Sequence, residues 1–351
     1  MAGTIPVSTR LRESPERGGR RPPSAPPVPA ARPGRDAVAG GRFARPREGI
    51  GDRLTRFLAA GAAFLLLALL LAFVVALVRE AWPAVVRFGP AFLARADWNP
   101  VAGEFGGLGS MLGTVAAAAV AMVLALPASL LLAFFLVEVA HPLVAVPVGY
   151  AVELLAAIPS IIYGMWGLFV LAPVLADYVQ PLLARWGGFL PFFQGPPVGI
   201  GIFPAGLVLA VMILPFMTAV ARDSLAMVPR RLREAGYGLG ATTWEVSRSV
   251  TFRRAMPGIV GGAFLGLGRA LGETMAVTFV VGNDHGVPAS LFHPASTIAS
   301  TLANEFAEAS DPVHVAALCE LGVLLLLISL AVNTVARLWL ARYRAGGGGR
   351  R

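Results

Sequence analysis

Residues 57–78 read FLAAGAAFLLLALLLAFVVALV, without a charge or a proline. A helix of about 20 apolar residues crosses a hydrocarbon core about 30 Å thick. Five more apolar blocks follow, at about 111–137, 144–175, 203–220, 257–281 and 313–339. The chain is 56% hydrophobic and 14% charged, where soluble domains carry about 25% charged residues. The ten-residue alternation of a membrane β-barrel is absent. The sequence therefore predicts an all-α membrane protein with six transmembrane helices. Pro127, Pro159, Pro215, Gly268 and Gly272 fall inside these spans. Membrane helices tolerate such residues where neighbours satisfy the freed backbone groups.

The net charge is +9, and all 29 basic residues are arginine. Twelve lie before residue 57, in or next to a segment 1–50 rich in Arg, Pro, Gly and Ala. That composition cannot bury a core and predicts a disordered tail lying near anionic lipid head groups. It lacks the apolar run of a signal peptide. Apart from Phe43 it lacks the interleaved aromatic residues of a nucleic-acid-binding segment. Arg222, Arg230, Arg231, Arg233, Arg248, Arg253 and Arg254 cluster between the fourth and fifth spans, and five more Arg follow from 337 onward. The segment 283–312 has no Arg and holds Asp284, Glu305, Glu308 and Asp311. Positive charge stays on the cytoplasmic side, so both termini and the 4–5 loop are expected there. Residues 343–351 read as a flexible C-terminal tail.

The 4–5 loop, 223–256, is too long and too apolar for a plain connection. Pro229 ends one stretch, and Arg231-Leu232-Arg233-Glu234-Ala235 starts a helix that Gly238 and Gly240 break. Thr243 is the expected N-cap of the next helix. Leu232, Tyr237, Leu239, Trp244, Val246 and Val250 need cover, from the bundle or from another subunit.

The fifth span carries Arg269 about 12 residues past Pro257, or about 18 Å along a helix and near the bilayer middle. A charge there costs at least about 2.5–3.5 kcal/mol and should face protein or water. Glu273 follows at i+4, on the same face of a continuous helix. Two readings stand: a self-neutralising structural ion pair, or an Arg that meets an anion in transit. The guanidinium fork suits tetrahedral oxyanions. Gly268 and Gly272 share that spacing and admit a close neighbour.

Glu153 and Glu320 lie inside the third and sixth spans, so each is expected to be paired, protonated or met by a cation from another subunit. Glu138 and Asp223 sit near span ends within reach of water. Cys319 is the only cysteine, which excludes an intramolecular disulfide and a cysteine-based zinc site. His141, His285, His293 and His314 are scattered, and no metal site is expected from them. No phosphate-binding Gly-Lys-Ser/Thr loop is present, nor any Lys. No catalytic residue is assigned, and the chain is not expected to be an enzyme.

Glu234-Ala235-Gly236, then Gly240, then Val250 and Phe252 resemble the loop shared by bacterial ABC importer permeases. Gly236 replaces the second Ala of that pattern, and Arg253 stands where it has a final Pro. Three other stretches are similar to the PstC family, permeases of phosphate-specific ABC importers. They are Arg269-Ala-Leu-Gly-Glu-Thr-Met-Ala-Val-Thr-Phe-Val-Val-Gly-Asn283, Thr297-Ile-Ala-Ser-Thr-Leu-Ala-Asn-Glu-Phe-Ala-Glu-Ala309, and Ile158-Pro-Ser-Ile-Ile-Tyr-Gly164. The likeness covers roughly 55–342. The companion PstA family lacks the run after the Gly-Glu pair. The resemblance implies the type I ABC importer permease fold over 51–342, with 223–256 as a cytoplasmic coupling loop. It implies a bacterial inner-membrane location and passage of phosphate past Arg269 and Glu273, with Thr274 and Thr278 on the same path. It implies coupling to an ATPase through Glu234, Ala235, Gly236 and Gly240. The partners would be a PstA-like second permease, PstB-like ATPase subunits holding ATP and Mg, and a PstS-like extracytoplasmic phosphate-binding protein. That protein would dock on the loops at 80–108, 176–201 and 283–312. The same fold serving sulfate or molybdate, or a membrane scaffold that transports nothing, are the alternatives.

Overall fold

The computed structural model describes residues 49–347. The tail expected at 1–50 falls outside the described residues up to 48, and so do 348–351 of the expected C-terminal tail. The chain divides into two units at Ala63 and Phe64. Helix α1 (Ile50–Phe88) starts in the first and opens on Asp52, whose carboxylate accepts the Gly49 N–H at 3.1 Å. An acid in the first turn also complements the positive end of the helix dipole.

The second unit is a bundle of α-helices, and no strand occurs among the described residues. α2 runs Leu108–Phe134 and ends in a π-helical turn, Phe135–Val139. α3 is Pro142–Ala156 and α4 is Ser160–Gly187. α5 (Ile202–Ala226) leads to two short helices, α6 (Arg230–Gly238) and α7 (Thr243–Val246). After a π-helical turn at Ser247–Phe252 come α8 (Arg253–Leu271) and α9 (Met275–Thr278). α10 (Ile298–Glu305) and α11 (Pro312–Gly347) complete the chain.

Among the described residues five helices are long and apolar enough to cross a membrane: Gly51–Leu93, Leu108–Val139, Ser160–Gly187, Ile202–Ala226 and Pro312–Tyr343. Two of the six expected segments are not continuous helices. The block at 144–175 breaks between α3 and α4, at Ala157–Pro159. Proline has no N–H to continue the ladder, and here it opens the next helix. The Tyr163 hydroxyl donates to the Leu155 carbonyl at 2.7 Å, so a group freed at the end of α3 stays satisfied. The block at 257–281 stops at Leu271 and resumes as the four residues of α9. It is rich in glycine and carries Arg269, with Arg253 and Arg254 just before its start, so its composition is less apolar than its position suggests.

The centre of the bundle is α5, with 67% of its apolar window buried. Its partner α2 presents a stripe of small residues, Ala117, Ala118, Ala121 and Ala125, all almost fully buried. Small residues let membrane helices approach closely, and dispersion over that contact holds them. A Cβ on Gly206 of α5 would lie 2.5 Å from Val120 Cγ1. Gly262 and Gly266 of α8 lie in the same way under Val220 and Met217 of α5. Over 64–73 α1 shows the opposite pattern, with Phe64 76% and Leu66 71% exposed, as expected of a surface turned to lipid.

Gly206→Val should lower the melting temperature of the detergent-purified chain through overpacking that costs about 1–3 kcal/mol. Gly261→Ala, with nothing within 4 Å of its Cβ, should leave it unchanged or slightly raise it. Thermal unfolding followed by tryptophan fluorescence distinguishes the two.

Candidate functional site

Arg269 sits in the last turn of α8, and its side chain is exposed. The helix ends two residues later, and Gly272 forms its C-cap. Glu273 therefore does not share a helical face with Arg269, because the helix needed for that register has stopped. The Glu273 carboxylate turns forward and accepts the Ala276 N–H at 3.4 Å at the start of α9. Among the described residues no ion pair joins Arg269 to any acid. The geometry does not show a self-neutralising pair of Arg269 and Glu273.

The break is supported on both sides. Thr278 Oγ1 donates to the Thr274 carbonyl at 2.8 Å, and Asn283 Nδ2 donates to the Thr278 carbonyl at 3.2 Å. Thr274 Oγ1 reaches the Gly272 carbonyl at 3.4 Å. Gly164 of α4 packs on this segment, where a Cβ would meet Phe279 at 2.8 Å and the Ala276 backbone at 3.0 Å. Irregular backbone at membrane depth occurs only where protein or a water-filled path surrounds it. The stretches 158–164 and 269–283, far apart in sequence, thus build one feature: a broken helix with an exposed Arg at its edge.

At the arginine-rich end of the bundle, α6 and α7 form a compact corner. The N-cap of α7 is Thr242, not Thr243. Its hydroxyl accepts the Glu245 N–H, while the Glu245 carboxylate takes the Thr242 N–H at 2.8 Å. That reciprocal box explains the one-residue shift. It also holds the Glu245 carboxyl below its usual range, first through the Thr242 backbone N–H and then through the Thr242 hydroxyl. Gly240 turns the chain with φ +83, a conformation that favours glycine. Gly236 lies against Val246, so the Gly that departs from the Glu-Ala-Ala pattern is the residue that lets the two helices touch. Glu234 and Ala235 face outward, as do Leu239 (89% exposed) and Trp244 (60%).

The acids inside the spans find different solutions. Glu153 is half exposed and pairs with Arg222 of this chain at 3.0 Å, so no second subunit is needed to neutralise it. Glu138 is not left to water: it is buried and pairs with Arg233 at 3.1 Å. Glu320 is buried in α11, and its Oε2 has no hydrogen-bond partner among the described residues. Cys319 beside it is a buried free thiol.

Residues 122–345 match the family model described as "Binding-protein-dependent transport system inner membrane component". The chain belongs to that family. Its curated relatives include "Phosphate transport system permease protein PstC" of Pasteurella multocida (strain Pm70), 50% identical over 82% of this chain and 90% of the relative. The protein of the same name from Mesorhizobium japonicum is 45% identical over 92% of this chain and 98% of its own length. Among solved structures, a bacterial alginate ABC transporter in complex with an alginate pentasaccharide-bound periplasmic protein aligns over 83% of this chain and 97% of its own. Its TM-score is 0.55 at 16% identity, a likeness of fold alone. The match to the transport-system family begins inside α2, so α1 lies outside it.

At the opposite end from α6, this family member gathers groups that the sequence scattered. The Glu305 carboxylate at the end of α10 accepts Trp98 Nε1 at 2.7 Å and contacts His314 Nε2 at 2.8 Å and His285 Nε2 at 2.9 Å. Trp98 stacks on His285, and Phe105 stacks on His314. Four segments meet on one carboxylate. No sequence signal marked this, because its members lie far apart along the chain, Trp98 and Glu305 by 207 residues. No group able to hold a metal ion occurs among the described residues. Burial alone would raise the Glu305 carboxyl, but hydrogen bonds from His285, Trp98 and His314, with the nearby His285 charge, outweigh it and hold the carboxyl below its usual range.

A carboxyl lowered on folding stabilises the fold above its ordinary value and loses that effect as pH falls through the lowered one. Glu305→Gln should therefore destabilise the chain by about 1–3 kcal/mol near neutral pH. The difference from wild type should shrink below about pH 4. Melting curves of both proteins across pH check this.

Proposed function

We propose that the chain is the transmembrane permease subunit of an ATP-driven importer of inorganic phosphate in the bacterial inner membrane. What carries the reading is its 45–50% identity, over most of both chains, to phosphate transport permeases named PstC. The exposed Arg269 at the break supports it, since an unpaired guanidinium at membrane depth suits an oxyanion. Arg269 meets the anion, and Glu273, Thr274 and Thr278 shape the break beside it. Binding there is weak, because passage requires release as well as capture.

In this reading both termini and the α6–α7 corner face the cytoplasm, with residues 1–50 as a basic tail, 51–342 as the permease domain and 343–351 as a second tail. The segment 223–256 couples to an ATPase partner (PstB-like) that holds ATP and Mg, and Glu234, Ala235, Gly236 and Gly240 lie at that contact. A PstA-like permease completes the channel, and a PstS-like protein delivers phosphate to the far side. Glu320, buried without a full set of partners, is the remaining candidate for a contact with the second permease. Sulfate or molybdate as cargo is the competing reading within the same fold.

ATP-dependent phosphate uptake into vesicles holding the whole complex tests the proposal. Arg269→Gln should cut uptake about 10- to 100-fold, the value of one charge-assisted hydrogen-bonded contact. Assembly should persist, and excess sulfate should not compete. Unchanged uptake in the variant would remove Arg269 from the path. Sulfate or molybdate uptake without phosphate uptake would replace the substrate.

A further inference from the structure

Helix α6 has no buried residue of its own. An element so placed transmits a push only through the few contacts that hold it to its neighbours. Two are specific. Gly236 lies against Val246 of α7. Arg233, whose side chain is only 17% exposed, reaches inward to two different spans. Its Nη1 lies 3.1 Å from Glu138 Oε1 in the π-helical end of α2, and its Nη2 donates to the Leu225 carbonyl near the end of α5 at 2.6 Å.

Local geometry explains why these groups meet. A π turn inserts a residue and rotates the downstream residues by roughly 100° around the axis. Glu138 lies within that turn, with its side chain 6% exposed. The Leu225 carbonyl belongs to the last turn of α5, where carbonyls lack helical partners and the dipole favours a cation. The approach to Glu138 is an ion pair rather than an aligned hydrogen bond, since Oε1 accepts none. An edge contact of Trp244 on Phe134, itself stacked on Phe252, joins α7 and the start of α8 to the same end of α2. The apolar cluster of Ala133, Ala221, Leu225 and Ala255 fills the space between these helix ends.

We propose that Arg233 and Glu138 are positioning residues that make α6 and the ends of α2 and α5 move as one piece, and that phosphate moved per ATP depends on this pair. The inference rests on the transport reading above and extends it to residues that the loop motif does not contain. A buried pair is suited to the role: removing one partner strands the other charge, so the attachment is either made or lost.

The test uses the whole complex in proteoliposomes, with phosphate uptake and ATP hydrolysis measured together. Glu138→Gln keeps the shape and removes the charge, and Arg233→Lys keeps the charge and removes the fork. Both should co-purify with the ATPase and hydrolyse ATP within about twofold of wild type, while uptake per ATP falls about tenfold or more, the size of a typical coupling energy. The exchanged pair, Arg233→Glu with Glu138→Arg, restores the ion pair but not the bond to the Leu225 carbonyl, and should recover part of that ratio. The proposal is overturned if uptake per ATP stays within about twofold of wild type in both single variants. Loss of assembly, or of uptake and hydrolysis in proportion without recovery in the exchanged pair, overturns it as well. A wild-type complex with no ATP-dependent uptake at all sinks the transport reading itself, and the strut with it.

Discussion

A polypeptide in hydrocarbon has to satisfy every backbone N–H and C=O from within the protein, and the architecture of this bundle depends on where that requirement is met by other means. Along most of each span the helix itself meets it. At Ala157–Pro159 and Gly272–Thr274 the helix stops, and side chains take over: the Tyr163 hydroxyl for Leu155 and the Glu273 carboxylate for Ala276. These substitutions need neighbours at close range, and glycine and alanine provide the room. Gly164 against Ala276 and Phe279 is such a case. Interruptions and small-residue packing are two sides of one constraint.

Arg269 gains its position from the same constraint. Had α8 continued, Glu273 would have lain one turn away on the same face, and the two charges would have answered each other. Because the helix ends at Leu271, the acid is taken up by the backbone and the base is left over. Two other acids of the spans are neutralised within the chain, Glu153 by Arg222 and Glu138 by Arg233. Arg269 stands apart from that pattern.

Much of this was legible in the sequence. Span lengths and apolar composition gave the class, and 234–253 and 269–283 gave the family. The interruptions were marked only by Pro159 and Gly272, residues that membrane helices also carry without breaking. Position along the span suggested that Glu153 and Glu320 were alike. The fold separates them, because Arg222 of α5 reaches one and, among the described residues, no cation reaches the other. The Glu305 cluster was out of reach for a different reason. Hydrogen-bond partners brought together by tertiary packing leave no periodic trace, and His285 and His314 each read as an ordinary loop histidine.

The seam of alanine between α2 and α5 has a consequence of an entropic kind. Alanine and glycine have no rotamers to lose on packing or to exchange afterwards. The α2 face of the seam therefore packs at almost no cost in side-chain freedom, and the ordering there falls to the larger residues of α5, Leu209, Met212 and Ile213.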